Sequence, residues 1–336
     1  MMKRIWLITG GCGFIGKSLA AYLLEKQRRG GIDVRVLDNL SVGSEKDLFS
    51  MLHHAGRPEF RTGGVELFRG DIRNFEDCFH SVRGVETVVH LAANTGVEQS
   101  VRNPLADMEA NVAGTLNMLE AARRARVRKF IFASSGAPLG EVQPPIHEGV
   151  APRPVSPYGA SKLAGEGYCM AYTRTFGLPA TALRFGNVYG PGSGHKGSVV
   201  ASFFRNALNG LPIEISGDGS QTRDFIYIED IVRAMVLAAK AQCEGEVFQI
   251  ATCRETSVNE LAAAVRRTLE ERTGIRTAVS FGSARPGDVK RNYSDITKAR
   301  RMLGFEPLTT LDEGLQKTLE YFLREAGVTQ RKDRAV

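Results

Sequence analysis

The chain contains one tryptophan and five cysteines in 336 residues. Cys12, Cys78, Cys169, Cys243 and Cys253 are odd in number, scattered, and never in CxxC spacing. A disulfide framework is thereby excluded, and reduced thiols of a cytoplasmic protein are expected. The histidines show no ligand spacing. His53 and His54 form an adjacent pair in a loop-like stretch without a partner, so no metal site is expected. Long apolar runs are also missing. The opening "MMKRIWLITGG" has a basic start, but its apolar run is too short for a signal peptide and nothing later approaches bilayer length. Like charges never run five together. With 44 Lys and Arg against 37 Asp and Glu, the net charge of +7 suits a phosphorylated substrate rather than a nucleic acid or a membrane.

What is present alternates. "RIWLIT", "DVRVLD", "VELFRGD", "ETVVHLAA" and "RKFIFASS" are short, continuous and rich in β-branched residues, as strands covered on both faces are. Between them "FIGKSLAAYLLEKQRR", "FEDCFHSV" and "NVAGTLNMLEAARRA" carry helical spacing. Strand-helix repetition of this kind predicts an α/β fold with a doubly wound parallel sheet. After Gly186 the rhythm loosens through "NVYGPGSGHKGS" and "GDGSQTRDF", and then returns in "YIEDIVRAMVLAAKA" and "EVFQIA". Residues 1–186 with about 226–253 are expected to form one domain. About 187–225 with 254–328 form a smaller α/β lobe. "SVNELAAAVRRTLEER" opens with Ser257 and Glu260 as a capping box, and 329–336 has no apolar face and should fray.

"TGGCGFIG" sets Gly10, Gly13 and Gly16 between a predicted strand and helix. Glycine there lets backbone approach a pyrophosphate, whose charge the helix N-terminus meets. Asp38 ends the second strand, where a carboxylate accepts ribose hydroxyls and repels a 2′-phosphate, so NAD is favoured over NADP. Its bland alternative is a turn residue. Asp71 is a candidate acceptor for the adenine amino group or, equally, a helix cap. Tyr158 and Lys162 in "SPYGASK" share a helix face. An ammonium one turn away would lower the phenol's pKa and hold a ribose, while Ser135 offers a hydroxyl to the reacting oxygen.

The glycine loop, "HLAA", "SS" before "SPYGASK", "RFGNVYGP", "GDGSQTRDFIYIEDIV" and "RPGD" occur together and in order from about Arg4 to Phe322. As an ensemble they resemble the extended short-chain dehydrogenase/reductase family, specifically its nucleotide-sugar epimerases and dehydratases. The resemblance implies a Rossmann domain with a nucleotide-sugar-binding lobe. It makes Tyr158 the base, Lys162 the cofactor-holding cation and Ser135 the residue that orients substrate oxygen. Around NAD it places Gly10, Gly13, Phe14, Ile15, Gly16 and Asp38. Asn39, Asp71, Ile72, Leu91, Ala92 and Ala93 join them, with Asn111 supporting the lysine unless it is an ordinary helix start. On the substrate side it implies Ser134, Ser135, Asn187, and Arg223 and Arg285 clamping a diphosphate. Asp288 would contact the nucleoside ribose of a UDP-sugar. Surface loops are the bland alternative for these.

In dehydratase relatives an Asp-Glu pair follows the serine or threonine, and decarboxylating relatives keep a glutamate there. This chain has Gly136 and Ala137, which transfer no proton, so elimination lacks its acid and base. The resemblance is therefore closest to UDP-sugar 4-epimerases, isomerases that pass through a transient 4-keto sugar. UDP-glucose and UDP-N-acetylglucosamine are the first substrate candidates. Other outcomes of that intermediate remain open: UDP-glucuronate epimerisation, C3 or C5 epimerisation, dehydration, or a catalytically inactive sugar sensor. The chain departs from relatives at Pro138-Leu139, where they read Val-Tyr, which bears on substrate identity. Asn292 occupies a position of variable bulk in the pocket wall, or else faces solvent. His195 and Lys196 either approach substrate or lie on a solvated loop. The family's homodimer pairs helices into a four-helix bundle; here these would be the helix from about Asn111 and the one carrying Tyr158.

Overall fold

The computed structural model describes residues 4–27, 32–54, 65–194, 197–284 and 289–326. The expected frayed tail at 329–336 lies outside them, as do the side chains of His53 and His54. Strands β1 (Arg4–Thr9), β2 (Ile32–Asp38), β3 (Val65–Arg69), β4 (Val85–His90), β5 (Lys129–Ser135) and β6 (Ala180–Phe185) come first. Short strands β7 (Asn187–Tyr189), β8 (Ile213–Ser216), β9 (Thr222–Arg223) and β10 (Phe225–Tyr227) precede β11 (Val247–Ile250), β12 (Thr256–Ser257) and β13 (Val279–Gly282). Seven strands form one sheet in the order β11-β6-β5-β4-β1-β2-β3, each pair parallel. The chain runs outward one way from β1 and the other way from β4. A crevice for a ligand opens at the carboxyl ends of strands where the order reverses. That crevice lies between Thr9 and His90.

Both faces of the sheet are buried because successive side chains on a strand point opposite ways. On β5, Phe130 and Phe132 join one apolar cluster, while Ile131 and Ala133 join the other. Helices α1 (Phe14–Gln27) and α2 (Glu45–His54) follow the first two strands, and α3 (Phe75–Ser81) follows the third. Next come α4 (Val97–Arg102), α5 (Pro104–Met108), a π-helical turn at Glu109–Ala113 and α6 (Gly114–Arg124). A 3₁₀ turn at Ala137–Leu139 leads to α7 (Pro157–Phe176), and then α8 (Val199–Leu208) and α9 (Ile228–Lys240). Helices α10 (Val258–Thr273), α11 (Thr297–Leu303) and α12 (Leu311–Glu325) complete the smaller C-terminal α/β region.

Local chemistry sets the helix ends. Ser156 caps α7 by accepting the Gly159 amide, Pro157 occupies its first turn, and Gly177 closes it in the left-handed region. Ser257 and Glu260 make the expected capping box on α10, and Thr310 with Glu313 makes another on α12. Each such cap contributes about 1 kcal/mol. The five cysteines are free, and only Cys253 is exposed. Among the described residues no helix is long and apolar enough to cross a membrane.

Candidate active site

The β1–α1 loop crosses the crevice. Gly10 takes φ +66°, and a Cβ there would stand 2.8 Å from the Ala92 amide nitrogen; one on Gly16 would stand 2.4 Å from the Gly10 carbonyl. Only bare backbone packs this closely, and the same bareness lets a pyrophosphate approach the amides that open α1. Asp38, at the end of β2, accepts from the Cys12 amide at 2.9 Å and the Leu40 amide at 2.8 Å. Burial raises its pKa while both bonds oppose the rise. The carboxylate thus serves as a turn residue and also lies against the glycine loop, as a ribose acceptor must. The glycine cradle and this acid fit NAD. Phe14 and Ile15 are half-buried beside the loop.

Asp71 resolves differently from its capping alternative. Asn74 caps α3, accepting from the Glu76 amide. Both Asp71 oxygens are engaged instead, by Arg73 at 2.7 to 3.0 Å and by Asn39 Nδ2 at 3.0 Å. The Arg73 guanidinium holds this carboxyl far below the usual carboxylate range. Ile72 is buried where Gly114 approaches it. Leu91 and Ala92 both donate amides to Thr9 Oγ1 at 3.1 Å, and Ala93 is half-buried after them.

A residue that sequence reasoning quoted only within "HLAA" organises this wall. Thr115 donates to the Asn111 carbonyl at 2.6 Å, so its oxygen accepts from His90 Nε2 at 3.1 Å. His90 Nδ1 then accepts from Thr9 Oγ1 at 2.8 Å. Burial pushes the His90 pKa down to about 3, so the ring is a neutral spacer with one defined tautomer.

Across the crevice α7 carries Tyr158 and Lys162 on one face. Lys162 Nζ donates to the Ala133 carbonyl at 3.0 Å, stands 4.9 Å from the Phe132 ring centre, and lies 5.9 Å from that of Tyr158. Burial pulls the lysine down to about 8, opposed first by Asp107. The phenol does not follow the expectation of a lowered pKa. Burial pushes it up to about 12, and the opposing contribution is a hydrogen bond with Ser135 rather than the ammonium. Ser135 Oγ also accepts the Ala137 amide at 3.2 Å, which fixes the hydroxyl over the 3₁₀ turn.

Ser134 is a correction. The two-residue alternation of β5 turns it inward, where its hydroxyl donates to Glu166 Oε1 at 2.5 Å and the side chain is buried. Glu166 in turn holds Arg184 through two bonds at 2.7 and 2.8 Å. Ser134 therefore braces α7 and does not face a substrate. Asn111 sits in the π-helical turn, not at an ordinary helix start. Its Nδ2 reaches Asn94 O, Asp107 Oδ1 and Ser161 Oγ at 2.9 to 3.1 Å, and so supports the segment bearing Lys162 rather than the amine itself.

On the lobe side, Asn292 Nδ2 lies 3.7 Å from where a Cβ on Gly136 would stand, which puts this side chain beside Ser135. Asn187 is exposed on β7. Arg223 donates to the carbonyls of Thr222 at 2.6 Å and Val289 at 2.7 Å, tying β9 to the segment after the "RPGD" motif. Arg285, Asp288, His195 and Lys196 lie outside the described residues. Among the described residues no cluster of three His, Cys, Asp or Glu offers a metal site.

Residues 6–251 match the model of the NAD dependent epimerase/dehydratase family. A UDP-glucose 4-epimerase of Mycolicibacterium smegmatis is 36% identical over 94% of this chain and 97% of its own length. The crystal structure of a UDP-glucose 4-epimerase from Thermotoga maritima with UDP-glucose is 37% identical, with a TM-score of 0.84 over 96% of this chain and 100% of that one. A UDP-glucuronic acid 4-epimerase of Bacillus cereus, with UDP-glucuronic acid and NAD, is 30% identical, with a TM-score of 0.85 over 96% and 100%. A glycine cradle closed by an acid, opposite a Ser-Tyr-Lys set on a seven-stranded parallel sheet, and these matches along nearly the whole chain have one reading: the chain belongs to the NAD dependent epimerase/dehydratase family.

Proposed function

We propose that this protein is an NAD-dependent 4-epimerase of a UDP-hexose. The observation that carries the reading is the pairing of Ser135 with Tyr158 above a turn whose next residues, Gly136 and Ala137, hold no acid or base. Proton traffic at this turn is thereby limited to one oxygen, which suits oxidation and re-reduction at one carbon. NAD, which the glycine cradle and Asp38 would hold, would supply a reversible hydride acceptor, so that no net redox change results. Tyr158 takes the proton of the C4 hydroxyl and gives it back to the same oxygen. Ser135 orients that oxygen, and Lys162 holds positive charge nearby. Between the two half-reactions the 4-keto sugar presents its other face.

The site residues that follow from this reading are Tyr158, Lys162 and Ser135 for chemistry, with Asn187, Arg223, Arg285, Asp288 and Asn292 for substrate. Incubating purified protein with UDP-glucose, UDP-N-acetylglucosamine and UDP-glucuronate, with C4 epimers resolved by NMR, tests it. Interconversion of axial and equatorial products supports the reading. A product lighter by water, or accumulating reduced cofactor, points to another fate of the 4-keto sugar and overturns it.

A homodimer belongs to the same proposal, with a shift in the helices involved. The α6 face is largely buried, whereas α4 and α5 expose Val97, Val101, Leu105 and Met108, and the adjoining α7 exposes Tyr168. An apolar face of this size on a helical layer suits a second copy of the chain. A scattering mass of one chain at micromolar concentration would remove it.

A further inference from the structure

Asp224 lies between the short strands β9 and β10 and is 1% exposed. Its carboxylate accepts four hydrogen bonds from two segments distant in the chain. Oδ1 takes the Thr252 amide at 2.7 Å and the Thr252 hydroxyl at 2.6 Å. Oδ2 takes the Cys253 amide at 3.0 Å and the Ser294 amide at 3.3 Å. These bonds fill the lone-pair positions of a carboxylate. The main-chain carbonyl of the same residue accepts the Asn187 amide at 2.8 Å, and a Cβ on Gly186 would stand 3.0 Å from that oxygen. Cys253 sits at φ +60°, a conformation that a non-glycine residue keeps only where its surroundings fix it.

Three substrate candidates adjoin this hub. Asn187 opens β7, Arg223 directly precedes Asp224, and Asn292 stands two residues before Ser294. The segment 289–294 is fastened at both ends. At its start Arg223 donates to the Val289 carbonyl at 2.7 Å, and the Lys290 carbonyl accepts the Thr222 amide at 2.8 Å. Next, Arg291 grips Glu255, which also takes the Thr222 hydroxyl at 2.7 Å. At its end Asp224 holds the Ser294 amide, while Tyr293 and Asp295 on either side bond to Ile146. Asn292 is thus strung between two anchors, and residues 222–224 supply a bond to each. We propose that Asp224 is a positioning residue: its buried carboxylate sets Asn187, Arg223 and Asn292 in the relative places from which they bind a UDP-sugar. This assignment rests on the 4-epimerase reading for the identity of that ligand. None of the four bonds reaches the glycine loop or Asp38, so substrate affinity depends on Asp224 and cofactor affinity does not.

Asp224→Asn keeps the shape and changes the bonding. Whichever way its amide sits, N–H faces N–H: toward Thr252 on one side, or toward Cys253 and Ser294 on the other. A residue that merely fills the interior would, when changed, lower stability and weaken every ligand alike. A positioning residue for substrate separates the two ligands. The KM for a UDP-sugar and the Kd for UDP should rise about tenfold, the effect of one hydrogen bond to a charged group. At saturation kcat should change less than KM, and NAD affinity should stay nearly constant.

Amide hydrogen exchange of the full-length protein, without ligand, tests the assembly itself. In Asp224→Asn, exchange at Asn187, Cys253 and Ser294 is expected to quicken together by about tenfold, while the loop 10–16 keeps its protection. Calorimetric titration with UDP and with NAD then reads the two affinities. Asp224→Ser, whose short side chain withdraws the acceptors from Cys253 and Ser294, reads the same loosening should the asparagine variant fail to fold. Exchange unchanged at Asn187 and Ser294 overturns the proposal, and so does a loss of NAD affinity equal to that of UDP. Absence of any UDP binding by the unsubstituted protein would remove the UDP-hexose reading alone, because the exchange arm needs no ligand.

Discussion

The Ala137 carbonyl presses so closely on Gly159 that a Cβ there would stand 2.6 Å from its oxygen. The contact locks the first turn of α7, and with it Tyr158, to the 3₁₀ turn that follows Ser135. Pro138 and Leu139, where relatives read Val-Tyr, are buried in that turn. Gly159→Ala must push turn and helix apart. A displacement approaching 1 Å costs roughly a hundredfold in turnover. We expect kcat to fall by about that factor with NAD affinity little changed, as steady-state kinetics and cofactor titration would show.

Ser135→Ala removes the hydrogen bond that opposes the burial of Tyr158. The sign follows directly: without it the phenol's pKa rises further, and the basic form is reached at higher pH. The Tyr158 ionisation seen in kcat/KM should move upward while turnover near neutral pH drops roughly ten- to a hundredfold. A Tyr158 ionisation unmoved in the alanine variant would separate Ser135 from Tyr158.

His90 gives the protein an acid weakness. Its folded pKa, about 3, lies below the ordinary histidine value of 6.5. Between those values the unfolded chain binds a proton that the folded one refuses, so stability declines as pH falls through the window and is unaffected above it. One proton contributes a slope of about 1.4 kcal/mol per pH unit. His90→Gln should lower stability at neutral pH, yet flatten the loss between pH 6.5 and 4, as denaturant titrations at several pH values would reveal.

Asn292 tests sugar selectivity. Its amide stands beside Gly136 at the reacting turn, and Asn292→Tyr would fill that space. We expect kcat/KM for UDP-N-acetylglucosamine to fall at least about tenfold relative to UDP-glucose, since poor fit of a group of that size costs on the order of 1–3 kcal/mol. Equal losses for both sugars would remove Asn292 from the acyl-group wall.

Much of this molecule is readable along the chain. The glycine loop after "RIWLIT", Asp38 at a strand end and the four-residue step from Tyr158 to Lys162 are local patterns, and the folded chain uses them locally. Ser134 and Ser135 mark the edge of that legibility. Their adjacency says they face opposite sides of β5, but which side is the crevice depends on α7, whose Glu166 claims Ser134. Asp71 could be read as a helix cap until the structure gave that place on α3 to Asn74. Asp107 lies a helical step before Asn111, a spacing without meaning until Ser161, 50 residues from Asn111, closes the cluster.

Periodicity and residue type in the sequence alone determined the parallel sheet, the cofactor class and the placing of Tyr158 and Lys162 on one helix face, because these follow from bonds and spacings within a few residues. Only the tertiary structure decided the charge states. Tyr158 is driven up and Lys162 down by removal from water, and the extent of that removal is set by helices and strands distant in the chain. Desolvation is a property of the assembled interior, and no neighbouring residue in the sequence specifies it.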